Sequence, residues 1–427
     1  MKSSLNAVRG MNDILPAEVG YWQYIERKLR SLAASYGYKE IRLPIVEHTE
    51  LYKRGVGEVT DIVEKEMYTF SDRNGESLSL RPEGTAGVVR AGIEHSLFYG
   101  ENPKVWYLGP MFRHERPQKG RYRQFYQFGL ESFGCASAYV DIEILAFCNR
   151  LWRELDLAHK IKLQINCLGT AEVRFKHKQE LIAYFSANLD KLDDDSKNRL
   201  NRNPLRILDS KNPDLKQIIS DAPKLTDYLD EASKAHMDIL ETGLKNLNID
   251  YEVNPYLVRG LDYYCLTVFE WVTNDLGSQG TVCGGGRYDS LVKQMGGDHT
   301  PAVGMSIGME RLVLMVSEQL TQNNWLNNNP DCYLILFTEP GLNHGLVLAE
   351  QLRDKIPGLK ITMNSSGLGL KNQFKKADKS GAKLAIIIGE EETRDKIYTI
   401  KWLRKEKAQE KLALNDLINL LNLLNRN

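Results

Sequence analysis

The chain has 427 residues, enough for two or three domains, and its 42% hydrophobic and 26% charged residues are ordinary for a globular protein. Its formal net charge is zero, so any nucleic-acid partner must be argued from local patches rather than from overall basicity. No apolar run approaches the roughly 20 residues that cross a bilayer, and the N-terminal residues lack the apolar core of a signal peptide. The six cysteines lie far apart without a Cys-x-x-Cys motif, which argues against zinc or a disulfide scaffold and favours a reducing cytosol.

The N-terminal part of the chain begins with a predicted helix at residues 17–36, whose apolar side chains recur at helical spacing. A strand with alternating apolar residues is predicted near 41–45, where a proline limits it to a sheet edge or a bulge. Residues 66–81 form a predicted hairpin with Asn-Gly at its turn. The hairpin leads into a tight loop in which a proline and a glycine flank Glu83. This loop either presents the carboxylate to a ligand or is an ordinary solvated turn.

Residues 105–134 form a predicted strand, a basic loop and a second strand. The loop carries four arginines and a lysine against a single glutamate, and it suits a polyanion because guanidinium groups match phosphate geometry. On the return strand Phe125, Gln127 and Glu131 fall on one face, which is unusual for a core and sensible for the floor of a ligand site. A half-exposed hairpin with a solvated basic tip is the alternative.

A further helix is predicted at 141–155, and a charged helical segment at about 170–245 is punctuated by two Asn-Pro steps. We interpret the second segment as a helical insertion. Residues 256–272 end in a β-rich run, and the following TVCGGGRYD at 281–289 contains three glycines that allow backbone to approach a ligand closely. It does not match a phosphate-loop motif, and a flexible loop is the alternative interpretation.

Residues 302–314 are typical of a small-residue strand that enters a helix, with Arg311 in the first turns. If it is buried, this arginine requires an anion, and if it is exposed, it is an ordinary helix residue. Residues 321–330 are rich in asparagine and predict a linker. Strands and helices alternate over 331–427, which predicts a small α/β domain with a modest excess of basic residues.

Several of these segments resemble class II aminoacyl-tRNA synthetases and, within that class, the histidyl-tRNA synthetases. The first helix, the strand and Pro44 resemble class II motif 1, and residues 112–131 resemble motif 2. Residues 304–311 are similar to motif 3. Residues 257–264 and 284–289 resemble two sequences special to histidyl-tRNA synthetases, and the first of them is long enough to indicate the amino acid.

The resemblance implies an α+β fold, with an antiparallel sheet flanked by helices and carrying the helical insertion at about 170–245. The implied domains are a class II catalytic domain at 1–325, the linker at 321–330 and an α/β anticodon-binding domain at 331–427. A cytoplasmic homodimer joined through motif 1 is expected. The implied substrates are ATP, L-histidine and the tRNA for histidine, with Mg²⁺ held through the ATP phosphates and no dedicated protein ligands. The implied reaction forms histidyl-adenylate and pyrophosphate and then charges the 3′ end of the tRNA.

The resemblance also implies roles for individual residues. Arg259 and Arg113 are the expected catalytic residues, placed at the α-phosphate of ATP. Arg116 and Gln118 are expected to contact the acceptor end of the tRNA. ATP is expected to bind to Arg113, Glu115, Arg121, Phe125 and Arg311. Histidine is expected to bind to Glu83, Thr85, Gln127, Glu131, Tyr263 and Tyr264.

Two other functions share this pattern. A regulatory paralogue of histidine biosynthesis keeps the class II fold within a phosphoribosyltransferase complex, but it usually lacks the C-terminal domain and the catalytic arginines. A non-catalytic sensor of uncharged tRNA would also keep the fold, joined to an effector domain. Arg113, Arg259, Arg311 and residues 331–427 are present here and favour the enzyme. An accessory role without RNA remains the alternative for the C-terminal domain.

Overall fold

The computed structural model describes residues 5–57, 60–99, 102–202, 204–208, 210, 212–277, 280–321, 329–364 and 369–425. The chain divides into two compact units, Met1–Asn323 and Asn324–Asn427. The predicted linker at 321–330 falls largely on residues 322–328, which lie outside the described residues. None of the helices in the described ranges combines the length and the apolar character needed to cross a membrane.

The first unit contains helices and strands that alternate irregularly along the chain, together with short 3₁₀ or π turns. In chain order its elements are α1 (Val19–Ser35), β1 (Lys39–Glu40), β2 (Val46–His48), α2 (Thr49–Val56), β3 (Thr69–Ser71), β4 (Ser77–Leu80), α3 (Thr85–Glu94), β5 (Lys104–Phe112), β6 (Gln124–Phe133), α4 (Ala138–Glu154), β7 (Lys162–Cys167), α5 (Ala171–Ala187), α6 (Asp194–Arg202), α7 (Lys216–Ser220), α8 (Glu231–Asn246), β8 (Tyr251–Val253), β9 (Cys265–Val272), β10 (Thr281–Arg287), α9 (Leu291–Gln294), β11 (Ala302–Gly308) and α10 (Met309–Thr321).

A large sheet dominates the first unit. In the part of the chain that the structure describes, eight strands follow the order β1-β5-β6-β11-β10-β9-β7-β8. The outer pairs β1–β5 and β7–β8 are parallel, and the pairs between them are antiparallel. A smaller sheet of order β2-β4-β3 lies apart from it. The predicted fold, an antiparallel sheet flanked by helices, is therefore confirmed.

The two faces of the large sheet bury different kinds of side chain. On one face Leu29, Phe147, Leu240 and Leu312, from α1, α4, α8 and α10, pack in an apolar core. This core follows from the apolar stripes of those helices, which must be removed from water. The other face buries aromatic residues together with polar groups, such as the Glu131 carboxyl. Burying a carboxyl group is costly, which favours a functional role for this face.

The predicted helical insertion consists of α5 to α8 with intervening 3₁₀ turns. The side chains of Thr170 and Asp230 begin α5 and α8 by accepting hydrogen bonds from the backbone N–H of Val173 and Ser233. A separate apolar cluster, which includes Phe185, gives the insertion a core of its own.

Residues 41–45 differ from the sequence-based expectation of a strand. In the structure β1 ends at Glu40 and β2 begins at Val46. Pro44 has no backbone N–H to donate. The Arg81 guanidinium donates hydrogen bonds to the Leu43 carbonyl at 2.9 Å and to the Pro44 carbonyl at 3.3 Å. The Leu43 and Pro44 carbonyls are thus bonded to a side chain, while the Ile41 N–H and the Ile45 carbonyl keep backbone partners in Trp106 and Arg81.

The second unit is a mixed sheet of order β13-β12-β14-β15-β16. Strands β12, β13 and β14 pair in parallel, and β15 and β16 extend the sheet antiparallel. The sequence-based elements omitted α13 and β16. The elements of this unit are β12 (Cys332–Leu336), α11 (Glu339–Lys355), β13 (Ile361–Met363), α12 (Leu370–Lys379), β14 (Leu384–Ile388), α13 (Glu390–Asp395), β15 (Ile397–Trp402), β16 (Glu410–Ala413) and α14 (Leu414–Asn425).

Candidate active site

A cavity of about 360 Å³ lies on the polar face of the large sheet. Its walls come from β6, β10 and β11, from the start of α3 and from the loop that precedes β9. Twelve of the fourteen residues predicted for the site line it, although they are spread over most of the first unit. These twelve are Glu83, Thr85, Arg113, Glu115, Arg121, Phe125, Gln127, Glu131, Arg259, Tyr263, Tyr264 and Arg311.

One half of the cavity concentrates positive charge. The Arg113 guanidinium lies 5.3 Å from the centre of the Phe125 ring, and its Nε donates to the Pro82 carbonyl at 2.9 Å. Arg121 forms an ion pair with Glu115. Burial lowers the pKa of Arg311, and the nearby Arg121 and Arg113 lower it further. Guanidinium groups that repel one another in a buried site favour a bound polyanion.

The other half of the cavity is built around the Glu131 carboxyl, which is only 1% exposed. Thr85 Oγ1 donates a hydrogen bond of 2.7 Å to Oε1, and Tyr288 Oη donates to Oε2. Burial raises the pKa of Glu131 to about 8 in spite of these two hydrogen bonds. This carboxyl group is buried and accepts a hydrogen bond on each oxygen. It therefore favours a ligand that brings an N–H donor or a positive charge.

Three glycines make room for this carboxyl half. A Cβ at Gly84 or Gly129 would collide with the Tyr107 ring, and a Cβ at Gly304 would collide with the Glu131 carboxylate. The register of the sheet, which pairs Gly304 with Glu131, creates the last of these close approaches. The pocket therefore owes its space to side chains that are missing on neighbouring elements.

Glu83 and Gln127 border the same half. Both carboxylate oxygens of Glu83 accept backbone hydrogen bonds, from Thr85 at 2.7 Å and from Ala86 at 2.8 Å, at the beginning of α3. Burial raises the pKa of Glu83, although these backbone bonds oppose the shift. Among the described residues, the buried side-chain oxygen of Gln127 has no hydrogen-bond partner. An unpaired acceptor beside a fixed carboxylate suits a bound ammonium group.

Arg259 crosses the strand that carries the three successive glycines. It pairs with Glu270, and its guanidinium lies 5.9 Å from the centre of the Tyr264 ring. A Cβ at Gly284 would lie 2.6 Å from Arg259 Nη1, while a Cβ at Gly285 would overlap the backbone of β11. The missing side chains of Gly284 and Gly285 therefore make room for neighbouring protein groups. From the sequence we expected these glycines to make room for a ligand.

Arg116 and Gln118, expected to contact tRNA, lie outside this cavity. Both are exposed in the loop between β5 and β6, where the backbone of Gln118 pairs with that of Arg121. Their contact with tRNA stays a prediction.

The cavity residues that sequence reasoning missed include the polar side chains of Tyr107, Glu270, Tyr288 and Glu310. Glu310 accepts the backbone N–H of Tyr126 on both oxygens, at 2.9 and 3.1 Å, and burial raises its pKa to about 7. It therefore ties α10 to the strand that carries Phe125. The adjacency of Tyr288 to the GGGR sequence was the available signal, whereas the others depend on strand pairing.

The described residues contain no cluster of three or more His, Cys, Asp and Glu side chains that could hold a metal ion. The cavity does offer carboxylates on Glu115 and Glu270 beside its arginines. Mg²⁺ commonly uses one or two carboxylates plus substrate phosphates, so this set of oxygens fits an ion that arrives with a nucleotide.

Comparison with known families places this geometry in context. A family model described as histidyl-tRNA synthetase matches residues 10–312. The chain belongs to the histidyl-tRNA synthetase family. A second model, described as an anticodon binding domain, matches residues 332–423 of the synthetase and coincides with the second structural unit.

Individual relatives of the synthetase agree with this family. A histidine–tRNA ligase of Halorhodospira halophila is 52% identical over 417 residues, 98% of this chain and 97% of the relative. One from Legionella pneumophila is 53% identical over 405 residues, 95% of each chain. The crystal structure of an apo histidyl-tRNA synthetase from S. aureus is 33% identical, has a TM-score of 0.80, and covers 98% of this chain and 100% of its own.

Proposed function

We propose that the synthetase activates L-histidine with ATP to form histidyl-adenylate and pyrophosphate, and then transfers the histidyl group to the 3′ end of the tRNA for histidine. It is an ATP-dependent aminoacyl-tRNA ligase, and relatives at 52% and 53% identity carry the name histidine–tRNA ligase. The observation that carries the proposal is one cavity with a cationic half suited to phosphates and a carboxyl half suited to an amino acid.

Histidine binds in the carboxyl half. Glu83, Thr85 and Gln127 hold its α-amino group, and the support for this role is the unpaired oxygen of Gln127 beside the fixed Glu83 carboxylate. Glu131 and Tyr264 hydrogen-bond to the imidazole nitrogens. Tyr263, whose ring centre lies 4.6 Å from that of Tyr264, forms the adjoining wall. An imidazole both donates and accepts hydrogen bonds, so a site with paired polar groups selects it over apolar side chains.

ATP binds in the cationic half. Its adenine stacks between the ring of Phe125 and the guanidinium of Arg311, and Glu115 and Arg121 border the nucleotide. Glu310 supports the slot indirectly, since it joins the strand of Phe125 to the helix of Arg311. Arg113 and Arg259 stand at the α-phosphate, a role supported by the position of both guanidinium groups in the cavity wall beside aromatic rings.

In the first step a carboxylate oxygen of histidine attacks the α-phosphorus, and the bond from that phosphorus to the bridging oxygen of pyrophosphate breaks. Negative charge on the α-phosphate oxygens grows in the transition state, where Arg113 and Arg259 stabilise it. In the second step a hydroxyl of the terminal ribose of tRNA attacks the histidyl carbonyl, and AMP leaves. Mg²⁺, which would be held by Glu115 or Glu270 and the ATP phosphates, supplies charge neutralisation when it is bound.

The partners follow from the family and the second unit. We assign anticodon recognition to the unit that the anticodon-binding model matches, and acceptor-end contacts to Arg116 and Gln118 on the exposed loop. The proposed location is the cytoplasm, where tRNA and ATP are available to a ligase of this kind. A regulatory role is disfavoured, because Arg113, Arg259 and Arg311 all remain in the cavity.

The test of this function is ATP–pyrophosphate exchange measured with each of the twenty amino acids. Exchange is expected with histidine alone, because only its side chain satisfies the polar groups of the carboxyl half. A chain cut after Asn323 provides a second arm, and it should keep histidine-dependent exchange while losing most tRNA charging. Exchange that depends on a different amino acid, or on none, would overturn the proposal.

We also propose a homodimer joined through the region of α1, Pro44 and the β2-β4-β3 sheet. Its support is the exposure of Ile45, Val46 and Phe70, which are large apolar side chains on or beside the outer strands of this small sheet. Light scattering at micromolar concentration should give twice the chain mass of 48.7 kDa. Ile45→Glu should shift the mass towards the monomer, whereas Phe175→Glu, at an exposed site on the insertion, should not. A wild-type mass of 48.7 kDa contradicts the dimer.

A further inference from the structure

The base of the helical insertion is bonded to the start of β9, directly after the two tyrosines of the amino-acid site. Leu168 N–H donates to the Leu266 carbonyl at 2.7 Å, and Leu266 N–H donates to the Gly169 carbonyl at 3.0 Å. These two backbone bonds join the segment that leads into α5 with the segment that leaves Tyr264. The insertion and the histidine pocket therefore share a junction of a few residues.

This junction holds an unfavourable backbone conformation. Leu266 has a φ of +46°, a region that a bulky residue rarely adopts. The pairing of β9 with β10 also shifts register here, between Gly286 and Arg287. Such a conformation is unfavourable and persists only where the surroundings hold it. The two backbone hydrogen bonds to the base of the insertion help to stabilise this conformation of Leu266.

Arg174, in the first turn of α5, adds a third connection. Its Nη1 donates a hydrogen bond to the backbone carbonyl of Tyr264. Burial lowers the pKa of Arg174, while the neighbouring Cys265 and Asp262 favour its charged form. A guanidinium that is removed from water yet directed at a carbonyl is expensive unless the bond is made. The carbonyl that it bonds belongs to a residue whose side chain lines the cavity.

The opposite side of the same loop is also anchored. Asp262 N–H donates to the Val56 carbonyl at the end of α2, at 3.3 Å, and the Asp262 carboxylate lies 3.0 Å from where a Cβ on Gly57 would be. The loop that carries Tyr263 and Tyr264 is thus tied to α2 on one side and to α5 on the other. Of these two ties, only the one through Arg174 involves a side chain of the insertion.

We infer that Arg174 is a positioning residue for histidine binding: by holding the Tyr264 carbonyl next to the strained turn, Arg174 orients the Tyr264 phenol in the cavity. Arg174 does not touch substrate and acts only through Tyr264. This inference rests on the proposed function, because it takes the Tyr264 phenol to be a contact for histidine. It makes the insertion part of the amino-acid site, a dependence that the position of α5 in the sequence does not suggest.

Arg174→Met tests the inference through the separation of two Michaelis constants. Loss of a charge-assisted hydrogen bond at this position should raise the KM for histidine at least about tenfold in pyrophosphate exchange. The KM for ATP should stay within about twofold, because the nucleotide half is bound by other elements. Arg199→Met is the matched control, since Arg199 lies in the same insertion and pairs with Asp195 on its own helix. It should leave both constants unchanged.

Arg174→Lys separates positioning from a general structural role. An ammonium group can still donate to the Tyr264 carbonyl, so this variant should recover most of the histidine KM. Equal rises of the histidine and ATP constants in Arg174→Met would overturn the inference, and so would a wild-type histidine KM. If Arg174→Met does not fold, Arg174→Gln takes its place in the comparison with Arg174→Lys. An identical histidine KM in the folded Gln and Lys variants would then overturn the inference.

Calorimetric titration with histidine distinguishes failure of this inference from failure of the proposed function. A wild-type chain that binds histidine but shows no exchange would overturn the function, while the tenfold weakening by Arg174→Met could still be measured as a Kd. A wild-type chain that does not bind histidine at all would overturn both.

Discussion

Replacing Glu131 with alanine should lower kcat/KM for histidine activation by about 10⁴-fold, with little change in the KM for ATP. The carboxyl group is buried, and Thr85 and Tyr288 donate to its two oxygens. Alanine would remove the acceptor for the imidazole and leave both hydroxyl donors without their partner, which adds to the loss. Steady-state exchange with each substrate varied in turn measures the effect. An unchanged histidine KM and kcat would remove Glu131 from the site.

The ionisation of Glu131 should also make the KM for histidine depend on pH. Burial raises the pKa of Glu131 to about 8, so the empty site holds the neutral acid below that pH and the carboxylate above it. A histidine imidazole that donates its N–H requires the carboxylate. The KM for histidine should therefore fall as the pH rises through 8 and then level off. In Glu131→Gln this dependence should vanish, because the amide does not titrate. A flat profile in the wild type would contradict the role of the carboxylate.

Arg259→His should lower kcat for pyrophosphate exchange by about 10²–10³-fold, with much smaller changes in either KM. A guanidinium beside the histidine site would repel the substrate ammonium, so its charge is better explained by the α-phosphate. Interactions that strengthen in the transition state appear in kcat, whereas uniform binding appears in KM. The geometry agrees with a fixed group, since Arg259 pairs with Glu270 and lies over Gly284.

A transfer assay provides the internal control for Arg259. Movement of the histidyl group from preformed histidyl-adenylate to tRNA should suffer less than adenylate formation, because the phosphorus–oxygen bonds have already been exchanged. A raised histidine KM with kcat intact would instead make Arg259 a binding residue and contradict this mechanism.

The periodicity of the sequence within one strand or helix was sufficient to predict the site residues that lie on that element. The alternation of β6 placed Phe125, Gln127 and Glu131 on one face, and all three line the cavity. The strand-to-helix pattern at 302–314 likewise placed Arg311 where a buried arginine would need an anion. In both cases the relevant period is contained in one short continuous stretch of sequence, so no knowledge of partners was required.

The remainder of the site depends on distant strands and could not be obtained from local pattern. Tyr107 reaches the pocket because Gly84 and Gly129 leave space for its ring, and those glycines lie on two other elements. Tyr288 meets Glu131 only once β11 has brought β10 and β6 together. Arg174 is an ordinary helix arginine in the sequence, and only the structure shows its hydrogen bond to Tyr264. The strand expected at 41–45 failed for the same reason, since Arg81 is remote in sequence.

The glycines around Glu131 limit how this pocket could be redesigned for another amino acid. Gly84, Gly129 and Gly304 already carry the smallest side chain, and any larger residue would displace the Tyr107 ring or the Glu131 carboxylate. The pocket therefore cannot be widened at these positions, and narrowing it there would destroy the imidazole contacts. A programme to charge tRNA with an unnatural analogue would have to begin at the aromatic walls, where shortening Tyr107 would open volume beside Gly84 and Gly129.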